Sequence, residues 1–298
     1  MNPDHQPTPE TGQLKSDRVA LVLRVGVYVF LAIAGLTIFP TILYWLAPVR
    51  FVVASLSTFA AAAVANAVAL RIYEQGQLAN IGMHWTRASR RNLLLGLAGG
   101  VGAALVVVLA PVVTLNASLE RIPGATVQWP SLGFVTVLLL FGAVGEEMLF
   151  RGYAFQFLVG RIGAFATILP VGVLFGLMHG NNPNQTWLGL VNTIAWGILF
   201  GYAFLRSGDL WLPIGLHFGW NWVLPLFGEN LSGFTMGVTG LTMRWRSGEL
   251  WSGGNYGPEG SVLTTAVVVA LAFYLRRAPI ERQASALARL SEHEDDES

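Results

Sequence analysis

The sequence predicts an all-α polytopic membrane protein with about eight transmembrane helices and both termini in the cytoplasm. Three observations carry that expectation. Hydrophobic residues make up 53% of the 298 positions and charged residues 12%, at a mean hydropathy of +0.55, whereas soluble domains carry roughly 25% charged residues. The apolar residues gather into eight runs, most of them near the roughly 20 residues that a spanning helix needs. The basic residues fall largely on one side of those runs.

Taken in order, the runs are residues 25–47, 51–70, 93–115, 132–158, 164–180, 187–205, 210–227 and 262–275. The last is short for a full span, so seven helices plus a re-entrant segment is the alternative. On the eight-helix arrangement, Lys15, Arg18, Arg71, Arg87, Arg90, Arg91, Arg161, Arg206, Arg276, Arg277, Arg282 and Arg289 share one side, and Arg50, Arg121, Arg244 and Arg246 the other. The positive-inside rule places the first set in the cytoplasm. Arg24 sits near the cytoplasmic start of the first helix, where a long side chain can snorkel. Residues 228–261 then form the longest loop, outside, and its Gly-rich run from Trp251 reads either as a lid or as an ordinary connector.

Residues 1–18 are polar, carry Pro3, Pro7 and Pro9, and lack the order of a cleaved signal peptide, so a short disordered tail is expected. Residues 276–298 end in Glu292, Glu294, Asp295, Asp296 and Glu297, and a second disordered tail is expected there. Residues 19–275 are read as one membrane domain with a core at 131–228. With no cysteine, disulfide frameworks, thiolate metal sites and cysteine nucleophiles are excluded. A net charge of +1 with no basic face excludes a nucleic-acid partner. Membrane lipids are the expected surroundings.

An ionisable side chain in the bilayer core costs about 2.5–3.5 kcal/mol even on the lenient insertion scale, which marks such residues as functional candidates. They are few here. The run Glu146-Glu147-Met148-Leu149-Phe150-Arg151 places Glu147 and Arg151 four apart on one helix face, where they neutralise each other, and turns Glu146 about 100° away. Glu146 is then a candidate general base, or all three residues form a structural ion-pair cluster. Phe175 and His179 are also four apart, on a helix whose Gly172, Gly176 and Gly180 let a neighbour approach closely. His179 reads as a catalytic imidazole or an interfacial one, and Phe175 alone as packing. His217 and Asn221 repeat the spacing and present two hydrogen-bond donors, suited either to an oxyanion hole or to bonding between helices. Counted from their cytoplasmic helix ends, Glu146 and His217 lie near mid-membrane and His179 deeper, with Pro170 and Pro213 as kink positions that would close the gap.

Together these residues resemble the CAAX-processing and bacteriocin-processing (CPBP, formerly Abi) intramembrane endopeptidases, whose motifs are Glu-Glu-x-x-x-Arg, Phe-x-x-x-His and His-x-x-x-Asn. All three occur in order on separate apolar helices, over about a third of the chain. The resemblance implies a peptide hydrolase that cuts membrane-associated or lipidated substrates. Glu146 and His179 would activate water, His217 and Asn221 would hold the oxyanion, and Glu147, Arg151 and Phe175 would support them. No metal or other cofactor is expected, with zinc as the alternative because one Glu and two His form a known catalytic zinc set. A proton-coupled transporter or a non-proteolytic immunity or scaffold protein are the readings from other classes. The expected location is a bacterial cell membrane.

Overall fold

The computed structural model describes residues 9–46, 48–285 and 287. The chain order is α1 (Pro9–Leu46), α2 (Arg50–Tyr73), α3 (Arg87–Val113), β1 (Ala117–Arg121), α4 (Trp129–Arg151), α5 (Tyr153–Ile162), α6 (Ala164–Met178), α7 (Trp187–Ser207), α8 (Trp211–Leu226), β2 (Leu241–Trp245), α9 (Glu249–Ser252) and α10 (Val262–Arg277). The expected all-α membrane architecture is present, with β1 and β2 pairing antiparallel as a small addition in register Ala117 to Trp245. Every apolar run is helical. Among the described residues, five helical stretches are long and apolar enough to cross a membrane: Arg18–Leu46, Arg50–Tyr73, Arg87–Val113, Trp129–Ile162 and Trp187–Ser207. The other three, α6, α8 and α10, have 15 or 16 residues. Their ends away from Gly163, Gly208 and Arg277 meet the folded loop 228–261. Irregular backbone at membrane depth is tolerated where it is buried in protein or lines a cavity.

The run at 132–158 is two helices rather than one, because the backbone breaks at Gly152. The break is held by side chains from other helices. The Tyr153 amide donates to Asn66 Oδ1 at 2.7 Å, Asn66 Nδ2 donates to the Met148 carbonyl at 2.9 Å, and Tyr28 Oη donates to the Leu149 carbonyl at 2.8 Å. Gln156 Nε2 covers the Arg151 carbonyl at 2.9 Å. These released groups thus find partners, as an apolar medium requires. A Cβ at position 152 would collide with Asn66 and the Met148 carbonyl.

Small residues set the helix packing. Gly96 and Gly100 on α3 meet the Leu212 and Leu216 carbonyls of α8, and Gly215 on α8 meets the Leu93 carbonyl of α3, so these two helices touch backbone to backbone. Gly172 and Gly176 on α6 face Ile198 and Ile194 of α7, as their spacing suggests. Gly180 faces only its own Leu177 carbonyl, beyond the end of α6, and receives no neighbour. Two buried apolar clusters fill the bundle, one centred on α3, α7, α8 and α10 and one on α1, α2 and α5.

Both tail expectations change where residues are described. α1 begins at Pro9, not after residue 18. The segment after α10 is docked rather than disordered. The Gln283 amide donates to the Ser207 carbonyl at 2.6 Å, the Glu281 amide to Asn92 Oδ1 at 3.1 Å, and Ser285 Oγ to Gln156 Oε1 at 2.6 Å. Gln283 Nε2 also donates to the buried Asp209 carboxylate, whose other donors are Asn92 and the Trp211 and Leu212 amides. Ala278 and Leu287 are buried beside it. Polar backbone that composition reads as solvated is satisfied by the turn between α7 and α8. The rest of both expected tails, 1–8 and 288–298, lies outside the described residues.

Gly100→Ala should part α3 from α8 and destabilise the bundle by about 1–3 kcal/mol, seen as an earlier thermal transition of the detergent-solubilised protein; an unchanged transition would show that the contact is not required. Glu229, on the loop after α8, is buried with Trp245 Nε1 donating to it at 2.8 Å, and burial pushes its carboxyl up to about 7. A folded carboxyl held above its unfolded value contributes stability that is present below pH about 4.5 and is lost as pH rises to about 7. Melting curves between pH 5 and 8 should show that decline, and Glu229→Gln should flatten it by about 1–3 kcal/mol.

Candidate active site

Gly163 is the turn that brings the first two motifs level. Glu146 and His179 stand at nearly equal chain distances before and after it, so α4 continued by α5 and the returning α6 deliver both to one depth. The sequence estimate placed His179 deeper because it ended the fourth run at 158, whereas α5 extends to Ile162. Glu146 Oε2 lies 3.6 Å from His179 Nε2 and 3.8 Å from His217 Nε2. These separations exceed a direct hydrogen bond and fit a shared water. Glu146 Oε2 is buried and has no hydrogen-bond partner among the described residues.

Behind this pair of imidazoles lies a buried charge cluster. His217 Nδ1 is 2.9 Å from Glu147 Oε1, and Arg151 Nη1 is 3.4 Å from Glu147 Oε2. Glu147 and Arg151 are both fully buried. Arg151 Nη2 donates to the Gly197 carbonyl at 2.5 Å, and its guanidinium lies against the rings of Phe175, Phe200 and Phe150 at 4.9, 5.4 and 5.6 Å. The ion pair read from the four-residue spacing is therefore present, and it has a third member in His217.

The partners define the tautomers. His179 Nδ1 is 2.7 Å from the Phe175 carbonyl, which only accepts, so Nδ1 carries the proton. Glu147, paired with Arg151, likewise receives Nδ1–H of His217. Both Nε2 atoms then face Glu146 and the cavity, as lone pairs in neutral rings and as donors in imidazolium. Phe175 supports both rings, with centroids 4.7 Å from His179 and 6.1 Å from His217. Phe200 stacks on His217 at 4.7 Å. Asn221, one turn beyond His217, lines the same cavity and makes no side-chain hydrogen bond among the described residues. All seven residues singled out in the sequence thus converge on one place.

The cavity measures about 210 Å³ and draws on α2 (Phe51, Ser55, Thr58), α4, α6, α7 (Thr193, Trp196), α8 and the loop 228–261. That loop is a wall of the site, contributing Leu231, Ser232, Phe234 and Glu259. Glu259, in the short 3₁₀ turn Pro258–Gly260, is the functional candidate that the sequence did not disclose. The search for carboxylates was confined to apolar runs, and Glu259 sits in a Gly-rich connector; no pattern in the sequence separates it from Glu229 or Glu249. Trp220 Nε1 donates to Glu259 Oε1 at 3.3 Å, and the Ser232 amide and hydroxyl both donate to Oε2. Burial pushes its carboxyl above the ordinary range, and these donors act against that shift. No group of three or more His, Asp or Glu among the described residues is placed to hold a metal ion.

The fold and site together are a helical membrane bundle with a buried Glu-Glu-Arg cluster and two imidazoles turned on a carboxylate. Residues 128–223 match the family model for type II CAAX prenyl endopeptidase Rce1-like proteins, which bears out the resemblance read from the motifs. The chain is also 27% identical over 127 residues to YyaK, an uncharacterized protein of Bacillus subtilis (strain 168); this covers 40% of the present chain and 42% of that relative.

Removing one member of the buried cluster separates its structural from its functional part. Glu147→Leu should leave the Arg151 guanidinium buried and unpaired, at about 3–5 kcal/mol of stability. Glu147→Leu with Arg151→Met should recover most of that stability in thermal melts while leaving His217 untethered. A double variant no more stable than Glu147→Leu would rule out the unpaired guanidinium as the source of the loss.

Proposed function

We propose that the chain is a glutamate-dependent intramembrane endopeptidase in which Glu146 and His179 activate the attacking water. The observation that carries this reading is the buried, unpartnered Glu146 Oε2 facing two Nε2 atoms across gaps that fit one water. Two carboxylates, Glu146 and Glu147, stand against Arg151 and one further proton shared by the imidazoles, so the cluster is balanced when one ring is imidazolium. His217 Nε2 and the Asn221 carboxamide stand at the cavity wall where they would hold the oxyanion, and loss of such a donor typically lowers kcat by about 10²–10³. His179, held by Phe175 in the tautomer with a free Nε2, accepts a proton from water alongside Glu146. Water oxygen bonds to the scissile carbonyl carbon, the tetrahedral oxyanion collapses, the C–N bond breaks, and the proton held by Glu146 or His179 passes to the leaving amine.

The lining residues lie towards the starts of α2 and α7, the end of α6 and the middle of α8, beside the loop 228–261. With the Arg-rich ends in the cytoplasm, the cavity is in the outer half of a bacterial cell membrane and takes peptides of membrane-associated proteins from that side. A zinc-dependent reading is favoured by one feature. Each imidazole donates Nδ1–H to a carboxylate or a carbonyl and directs Nε2 inward, as metal ligands do.

New peptide termini in membranes from cells producing the wild type, but not Glu146→Gln at matched levels, are the expected outcome; identical profiles with a folded variant would favour the transporter or scaffold readings. Cleavage by the purified protein should persist in EDTA. Loss with EDTA and return on added zinc would make the zinc reading correct.

A further inference from the structure

We propose that Glu259 is a specificity-determining residue whose carboxylate receives a cationic group of the substrate, a lysine or arginine side chain or a free amine, beside the scissile bond. This deepens the peptidase reading and rests on it for the identity of the ligand as a peptide. Glu259 lies outside the segment that matches the Rce1-like model and outside the three motifs.

The argument begins with its hydrogen bonds. Both carboxylate oxygens receive protons from groups that must donate, the Trp220 indole and the Ser232 amide, and the Ser232 hydroxyl adds a third donor. Such a set favours the anion, since a protonated carboxyl would itself need an acceptor. Yet no arginine or lysine is paired with it among the described residues, and none lines the cavity; the His179 imidazole, which acts on it electrostatically across the cavity, is turned on Glu146. Arg151, which lies behind Glu147, is engaged there. Buried carboxylates are ordinarily matched by a cation, and this one faces a space large enough for a side chain.

The surroundings suit that occupant. Trp196, Trp220 and Phe234 line the cavity with it, and the two indoles pack at a centroid separation of 4.8 Å. A carboxylate flanked by aromatic faces recognises ammonium and guanidinium groups through charge and ring quadrupole together. Trp196 is 4% exposed and its Nε1 is without a hydrogen-bond partner among the described residues, which leaves one donor for a peptide carbonyl. With Glu259 as its carboxylate and no guanidinium or ammonium beside it, this side of the cavity is unsuited to a peptide that presents its own carboxylate next to Glu259.

Binding is read in the Glu146→Gln protein, where nothing is cut, reconstituted in phosphatidylcholine nanodiscs at pH 8. The probes are acetyl-Leu-Ala-Lys-Ala-Leu-amide and the same peptide with norleucine or glutamate at the centre, titrated calorimetrically against empty discs. The lysine peptide should bind about tenfold or more tightly than the norleucine peptide, and the glutamate peptide least. Adding Glu259→Gln should bring the lysine and norleucine peptides to equal affinity, and Glu259→Asp should keep the preference. Equal binding of the three peptides, no binding of any, or a lysine preference that survives in Glu259→Gln overturns the inference. If Glu259→Gln fails to fold, the ranking in the parent and in Glu259→Asp decides. A lysine preference abolished by Glu259→Gln, without Glu146-dependent cleavage by the wild type, would retain the cation site and reject the peptidase reading. Cleavage indifferent to charge would do the reverse.

Discussion

A guanidinium with no access to water has to be neutralised where it lies, and Arg151 imposes that requirement on everything near it. It is fully buried among three phenyl rings, with Glu147 four residues back on the same helix and the Gly197 carbonyl of α7 as its acceptors. Transfer of an unpaired ion to such a place would cost several kcal/mol. Glu147 is therefore committed to Arg151, yet its second oxygen still reaches His217 on α8. One ion pair thereby ties α4, α7 and α8 together and sets the orientation of an imidazole. Glu146, one residue earlier and rotated away from that pair, is the carboxylate left over for the cavity.

Such a cluster holds its geometry only if the backbones around it come close. The glycines supply that approach. Gly145 on α4 lies against the Phe59 backbone of α2, Gly176 against Ile194 of α7, and Gly100 against the Leu216 carbonyl of α8. In a bilayer, packing rather than expulsion of water holds helices together, so contacts at backbone distance give the site the rigidity that a soluble enzyme draws from its core. The break at Gly152 belongs to the same economy of polar groups. Asn66 and Tyr28 take over the released amide and carbonyls, and the chain turns without leaving any of them in hydrocarbon.

What the sequence disclosed and what it withheld follow from the same physics. Apolar runs near 20 residues are legible because the bilayer demands them, and Glu146, Glu147, Arg151, His179, His217 and Asn221 stood out because ionisable and polar groups are scarce there. The pairing of Glu147 with Arg151 followed from helical spacing alone. The bond from Glu147 to His217 did not, since it crosses between helices far apart in the chain. Gly152 was hidden inside a continuous apolar run, because its break depends on Asn66 in α2. The docked segment from Ala278 to Ser285 was hidden by its composition, which resembles a solvated tail until Asp209 and Ser207 are seen to receive it. Glu259 was hidden for the related reason that a carboxylate in a polar loop attracts no notice from composition.

The walls of the cavity begin at Phe51 and end at Glu259, so they draw on nearly the whole chain. This ordering bears on biosynthesis. A membrane protein is inserted from its N-terminus as it is made, and while the chain is still short of residue 259 the motif residues Glu146 and His179 are already in the bilayer, facing an incomplete enclosure. The cluster is walled in only once the chain has been made past residue 259. A nascent or truncated chain therefore holds the motif side chains without the chamber that encloses them.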